Sequence, residues 1–201
     1  MFFEPEKGHG LPHDPFKAIV APRPIGWIST VNRAGQVNLA PYSFFNAFSG
    51  RPYLVWFSSE GSKDSAAFAA ESGEFVANLV GREFAEQMNR TSVNAPRGVS
   101  EFDFAGLDAV PSRLVKPPRV AGVPAALECK VTEILHPKTL DGPSSVDVVV
   151  GQVVGVHIDD AYLKDGLFDT AKAGNVARLG YFDYAQVNET FSMRRPKWEK
   201  D

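Results

Sequence analysis

The residues of this chain that could do chemistry gather at the ends of apolar runs between residues 22 and 78. Ser62-Lys63-Asp64-Ser65 opens a helical pattern. The first turn of a helix leaves backbone N–H groups unpaired at the positive end of its dipole, where phosphate is readily held. A lysine and two hydroxyls at that point add a charge and further donors. By itself the tetrapeptide also reads as a plain capping arrangement, with Ser62 as cap, Asp64 as dipole partner and Lys63 in solvent. Asn38-Leu-Ala-Pro-Tyr-Ser-Phe-Phe-Asn46 is more unusual. Pro41 cannot donate to a sheet ladder, so it marks an edge, a bulge or a strand end. Ser43 and Asn46 are polar within an aromatic run, and buried polar groups are costly unless paired. Backbone pairing at a bulge would satisfy them, and so would a ring carrying carbonyl and N–H groups. Ser29 and Thr30 precede a turn, and Ser58 and Ser59 end the next apolar run. Each is ordinary turn chemistry alone; together they form a polar rim. Arg178 and Tyr181 could approach that rim from far along the chain, although a surface arginine is the simpler reading. The collection suits a phosphate-bearing, planar aromatic ligand better than a hydrolytic site.

Other chemistries lack their residues. No Gly-x-Ser-x-Gly elbow occurs and no carboxylate pair stands out as an acid–base couple. Neither dinucleotide nor P-loop glycine patterns are present; Gly8-His-Gly-Leu-Pro-His13 fails at the third glycine. Pro12 disfavours a helix that would align His9 with His13, and His136 and His157 have no Glu or Cys companions at ligand spacing, so no metal site is expected. A single cysteine, Cys129, excludes an internal disulfide framework and reads as a half-buried strand residue. A net charge of −3 argues against a nucleic-acid partner held on a basic face. No signal segment and no apolar run near the roughly 20 residues of a membrane span is visible, so no membrane partner is expected and the cytoplasm is the default location.

The elements that must position these residues are mostly strands. With 201 residues, 44% of them apolar and 22% charged, the chain can bury one sizeable core. Residues 1–15 hold three prolines, two glycines and two histidines without periodicity and read as an arm. Residues 27–31 are β-branched and aromatic, and Asn32-Arg-Ala-Gly35 is a hairpin turn into a strand over residues 36–48. Residues 53–58 form a third apolar strand, expected to be buried on both faces. The period then changes to a helix that Gly73 stops, followed by a strand over 74–80 and a short helix over 83–90. Residues 94–118 are rich in Gly, Pro, Ser and charge, a long excursion whose Phe102, Phe104 and Leu107 need somewhere to pack. Two long strands are expected near 125–135 and 146–158, and residues 188–201 read as a tail. Strands in quick succession with few helices predict a mainly β fold, a barrel or sandwich with peripheral helices, over residues 16–187.

The order of these words resembles the flavin reductase-like, FMN-binding split-barrel family. The words are Pro22-Arg-Pro, Ser29-Thr-Val31, Asn38 through Asn46, Lys63-Asp-Ser65, Gly73-Glu-Phe-Val-Ala-Asn78, Ala126-Leu-Glu-Cys-Lys130, Val150-Gly-Gln-Val-Val-Gly-Val-His157 and Arg178-Leu-Gly180. The resemblance implies an FMN-binding split β-barrel and a homodimer with one FMN per subunit near the interface. It maps the phosphate-binding hydroxyls and lysine onto Ser43, Ser58, Lys63 and Ser65, and the ring-contacting strand onto Thr30, Ala40, Pro41, Tyr42 and Asn46, with Arg178 carried over as well. Ser29 and Asp64 join these as members of the rim and of the helix opening. Trp27, Tyr42 and Trp56 are open alternatives for stacking on the ring. Flavin carries the redox chemistry itself, so no catalytic residue is named. The implied activity is an NAD(P)H-dependent flavin reductase, with NADH or NADPH as co-substrate and a flavin-dependent monooxygenase or another acceptor downstream. A flavoredoxin-like electron carrier reduced by a protein partner, or a non-enzymatic flavin-binding dimer, are the alternatives.

Overall fold

In the computed structural model, which describes residues 1–61, 63–96 and 98–198, the β-branched run after Gly26 forms strand β1 (Gly26–Val31), buried along its whole length. The turn expected after it closes as a hairpin: Gly35, at φ +81°, donates its N–H to Asn32 O at 3.1 Å, and β2 (Val37–Tyr42) returns antiparallel. The single strand expected over 36–48 is corrected. It breaks just after Pro41 and Tyr42 and resumes as β3 (Phe45–Gly50), which pairs with β4 (Tyr53–Glu60). The expectation that residues 53–58 are buried on both faces is also corrected. Val55, Phe57 and Ser59 point inward, while Leu54, Trp56 and Ser58 are only half-buried, because one face alone meets the core.

The alanine-rich segment forms α2 (Asp64–Ser72), with Lys63 at the N-cap position and no side-chain capping bond; Ser62, the expected cap, lies outside the described residues. Gly73 ends the helix in the left-handed region and donates its N–H to Ala69 O at 2.9 Å. Then come β5 (Glu74–Asn78), the short helix α3 (Ala85–Arg90), and the two long strands β6 (Ala125–Leu135) and β7 (Val146–Ile158). The strands build one seven-stranded antiparallel sheet in the order β2-β1-β5-β6-β7-β4-β3, curled into a half-barrel. A smaller sheet joins Arg23–Pro24, Val176–Arg178 and Tyr184–Gln186.

Two apolar clusters explain why β1 is buried on both faces. Ile28 packs inside the curl with Phe57, Phe75, Cys129 and the α2 residues Ala66 and Ala69, while Trp27 packs on the other face with Leu39, Met88 and Phe102. Full burial of each large side chain is worth about 1.5–3 kcal/mol. Cys129 is fully buried rather than half-buried, because the curl places its face of β6 inside, and burial pushes its thiol pKa up.

The 94–118 excursion is not structureless. Ser100 caps α4 (Glu101–Ala105), and Ala109–Val110 pairs with Arg119–Val120. Phe102 supplies the anchor, buried in the outer cluster. The fully buried Glu128 holds the far end: its carboxylate accepts the N–H groups of Arg113 (2.7 Å) and Leu114 (2.6 Å) and contacts His157 Nε2 at 2.5 Å. Burial alone would raise this carboxyl, but the backbone donors and His157 outweigh it and hold it below its ordinary value. Among the described residues no group of three or more His, Cys, Asp or Glu is arranged to hold a metal ion, and no helix is long and apolar enough to cross a membrane.

Candidate functional site

The break after β2 opens one wall of a cavity of about 480 Å³, within the roughly 300–1,000 Å³ common for small-molecule sites. Ala40, Pro41, Tyr42 and Ser43 line that wall. β4 brings Ser58 alongside, and Ser58 N–H donates to Phe44 O at 2.8 Å, tying the two strand ends together. Lys63, Asp64 and Ser65, where α2 begins, line the next wall. The N–H of Ala67 bonds back along the helix, to Lys63 O at 3.0 Å, so the amides before it lie at the helix mouth.

A buried polar network fixes that helix end. Asn38 Nδ2 donates to Ser65 Oγ at 2.7 Å, both residues being buried. The hydroxyls of Ser65 and Ser59 sit beside the Tyr42 phenol, whose pKa burial raises and those two neighbours partly restore. The last wall comes from residues 92–95 and from Glu101, which opens α4. β2 is the edge of the sheet, so its outward N–H groups need partners. Glu101, 7% exposed, accepts that of Leu39 at 3.1 Å. Burial pushes the Glu101 carboxyl above its ordinary value, the Leu39 N–H opposes this, and the charge of Asp64 adds to the rise. Lys63 and Lys17 also line the cavity, and neither makes an ion pair among the described residues.

The structure therefore gathers at one cavity Lys63, Asp64 and Ser65 of the helix opening and the segment from Ala40 to Ser43, together with Ser58. It does not bring the other four there. Ser29 is fully buried on the outer face and its Oγ donates to Pro118 O. Thr30 is fully buried beneath the sheet, its Oγ1 without a hydrogen-bond partner among the described residues. Asn46 is exposed on β3, its Oδ1 accepting the N–H of Ala47. Arg178 stacks 4.5 Å from the Tyr184 ring centroid and donates to Tyr181 O. Of the three aromatics open for stacking, Tyr42 alone lines the cavity; Trp27 is sealed in the outer cluster, donating Nε1 to Thr91 Oγ1 at 2.8 Å. Sequence reasoning missed Lys17, Asn38, Phe44, Glu60, Ser92 and Val93, and named no single site residue of the 94–118 excursion, which supplies Asn94, Ala95 and Glu101. Asn38 and Phe44 lay inside a word already singled out; Lys17, Glu60, Ser92 and Val93 carry no local signal.

The family model of the flavin reductase like domain matches residues 20–178. An uncharacterised protein of Halalkalibacterium halodurans is 37% identical over 182 residues, covering 88% of this chain and 87% of that one. Among solved structures, nitrilotriacetate monooxygenase component B from Bacillus cereus superposes with a TM-score of 0.86 at 27% identity, covering 96% of this chain and 98% of the other. The 2-nitrobenzoate 2-nitroreductase of Pseudomonas fluorescens superposes with a TM-score of 0.80 at 26% identity, covering 92% and 91%.

Proposed function

Because the chain belongs to the flavin reductase-like family, we propose that it is an FMN-binding oxidoreductase that takes a hydride from NADH or NADPH. The observation that carries this reading is the cavity itself. Lys63, which makes no ion pair among the described residues, the hydroxyls of Ser43 and Ser58 and the mouth of α2 line it beside Ala40, Pro41 and Tyr42. That donor set fits a phosphate joined to a flat aromatic ring. FMN held by these residues would supply the hydride-accepting redox chemistry.

The protein's part is to bind, orient and shield. Ser43, Ser58 and Lys63 hold the phosphate. Ser65 is occupied by Asn38 and buried, so it steadies the helix mouth. Ala40, Pro41 and Tyr42 bear on the ring, and residues 92–95 with Glu101 screen it from water. We assign a homodimer, supported by the large apolar side chains left exposed on the strands, Phe48 and Tyr53 at one edge and Val156 and Ile158 on β7. A flavin-dependent monooxygenase is the proposed acceptor, on the strength of the name of the Bacillus cereus relative.

The test is an absorbance spectrum of the purified protein with FMN, followed by NADH or NADPH without oxygen. Flavin bands that bleach support the reductase and reveal its nucleotide preference. Bands that persist with both nucleotides yet bleach with dithionite overturn it in favour of an electron carrier. The absence of any FMN-dependent rise in melting temperature removes flavin binding altogether.

A further inference from the structure

The cavity has a second lysine that the sequence does not mark. Lys17 stands on α1 (Phe16–Ile19), a single helical turn close after the N-terminal arm. Its Nζ lies 5.7 Å from the centroid of the Phe44 ring. Phe44 follows Ser43 and its carbonyl accepts the N–H of Ser58, and Lys17, Ser43, Phe44 and Ser58 all line the same cavity.

A four-residue turn does not hold itself in place, since so short a helix is unstable alone. The fold supplies a mount. Arg23, 6% exposed, donates from Nη1 to the carbonyls of both Lys17 and Val20, and from Nη2 to Leu179 O at 2.8 Å. One guanidinium thus joins the α1 turn to a segment more than 150 residues away. Next to Leu179, Gly180 packs directly on the turn: a Cβ there would come within 2.4 Å of Ala18 Cβ and 2.7 Å of its Cα. Only glycine leaves room for α1 to seat.

The charge balance of the cavity favours a second cation. Glu60, Asp64 and Glu101 line it as well. A phosphate monoester carries about −1.5 to −2 charge near neutrality, more than the single charge of Lys63 offsets.

We propose that Lys17 is a second phosphate-binding cation acting with Lys63, and that Arg23, Leu179 and Gly180 form the mount that holds it over Ser43 and Ser58. This rests on the reading of the cavity as an FMN site.

The test compares FMN with riboflavin, which lacks only the phosphate. Flavin-free wild type, Lys17→Met and Lys17→Arg are titrated with each flavin, following the quenching of flavin fluorescence. Lys17→Met is expected to weaken FMN binding by about 10- to 100-fold, the range for a hydrogen bond to a charged group. Riboflavin binding should stay unchanged, and Lys17→Arg should recover most of the loss. Equal weakening of both flavins overturns the proposal by assigning Lys17 to the ring or the fold. Wild type that binds FMN with Lys17→Met indistinguishable from it overturns the role of Lys17 alone. Wild type that binds neither flavin removes the FMN reading, and this proposal with it.

Discussion

Replacing Glu128 with glutamine alters one charge and almost no volume, at a side chain that solvent does not reach. The carboxylate accepts from Arg113 N at 2.7 Å and Leu114 N at 2.6 Å, and meets His157 Nε2 at 2.5 Å. An amide keeps one acceptor oxygen and turns the other into a donor, so one backbone N–H is left facing N–H. Losing a hydrogen bond to a charged acceptor costs about 1.5–3 kcal/mol, and stranding a buried donor costs a further 1–3. These overlap in part, so about 3 kcal/mol is the working figure. For a chain of this length each kcal/mol moves Tm by about 2–4 °C, which predicts a fall of about 6–12 °C at neutral pH by calorimetry. The pH dependence has a definite sign. Glu128 is held below its ordinary value in the folded state, so its stabilisation is complete above the unfolded carboxylate pKa and is lost as pH falls through the folded one. The gap between wild type and variant should therefore close on acidification. Limited proteolysis should also cut residues 94–118 faster in the variant, because Arg113 and Leu114 lose their tether. A Tm within about 2 °C of wild type at neutral pH, less than one kcal/mol on this scale, or a gap that widens in acid, would refute the reasoning.

Two further outcomes follow from the cavity. Lys63→Met should weaken FMN binding about tenfold or more by fluorescence titration, the value of a hydrogen bond to a charged group, with the melting temperature of the flavin-free protein unchanged because Lys63 is exposed and makes no capping bond; an unaltered FMN affinity refutes its place at the phosphate. Glu101 has its folded pKa raised, chiefly by burial, so protonation favours the folded state and its contribution to stability grows as pH falls through that raised value. Glu101→Gln, which keeps an oxygen for Leu39 N–H, should remove that part of the pH dependence of Tm, and an identical Tm–pH curve for both proteins counts against it.

What was legible in the sequence was what neighbouring residues decide. Asn32 and Gly35 make a tight turn whatever surrounds them, Gly73 takes a left-handed conformation that stops α2, and the two long strands are set by their own β-branched runs. The break between β2 and β3 is signalled by Pro41, but only as a strand end, bulge or edge; the pairing of β3 with β4 decides which. Burial was misjudged where a second layer intervenes. Alternation along β6 marks Cys129 as facing one side, yet whether that side is sealed depends on the curl of the sheet and on α2, neither of which is local. The helix α4 was hidden because five residues carry too little periodicity to register; its stability comes from Phe102 packing in the outer cluster.

The site divides along the same line. Residues from Ala40 to Ser43 and from Lys63 to Ser65 lie in two short words, so strand end and helix mouth present them together. Ser29 and Thr30 are as polar as Ser43, but they sit on a central strand covered on both faces, where a hydroxyl is buried in structure rather than turned to a ligand. Glu101 and Lys17 reach the cavity only through contacts far apart in the chain, Glu101 to Leu39 and Arg23 to Leu179. The words Pro22-Arg-Pro and Arg178-Leu-Gly180 accordingly change meaning. Arg23 is spent on carbonyls, Arg178 on Tyr181 and Tyr184, and Gly180 on the close approach of Ala18. If those two words served the ligand directly, their side chains would point into the cavity. Instead they lock the α1 turn against the body of the protein, and the residue they deliver to the ligand is Lys17.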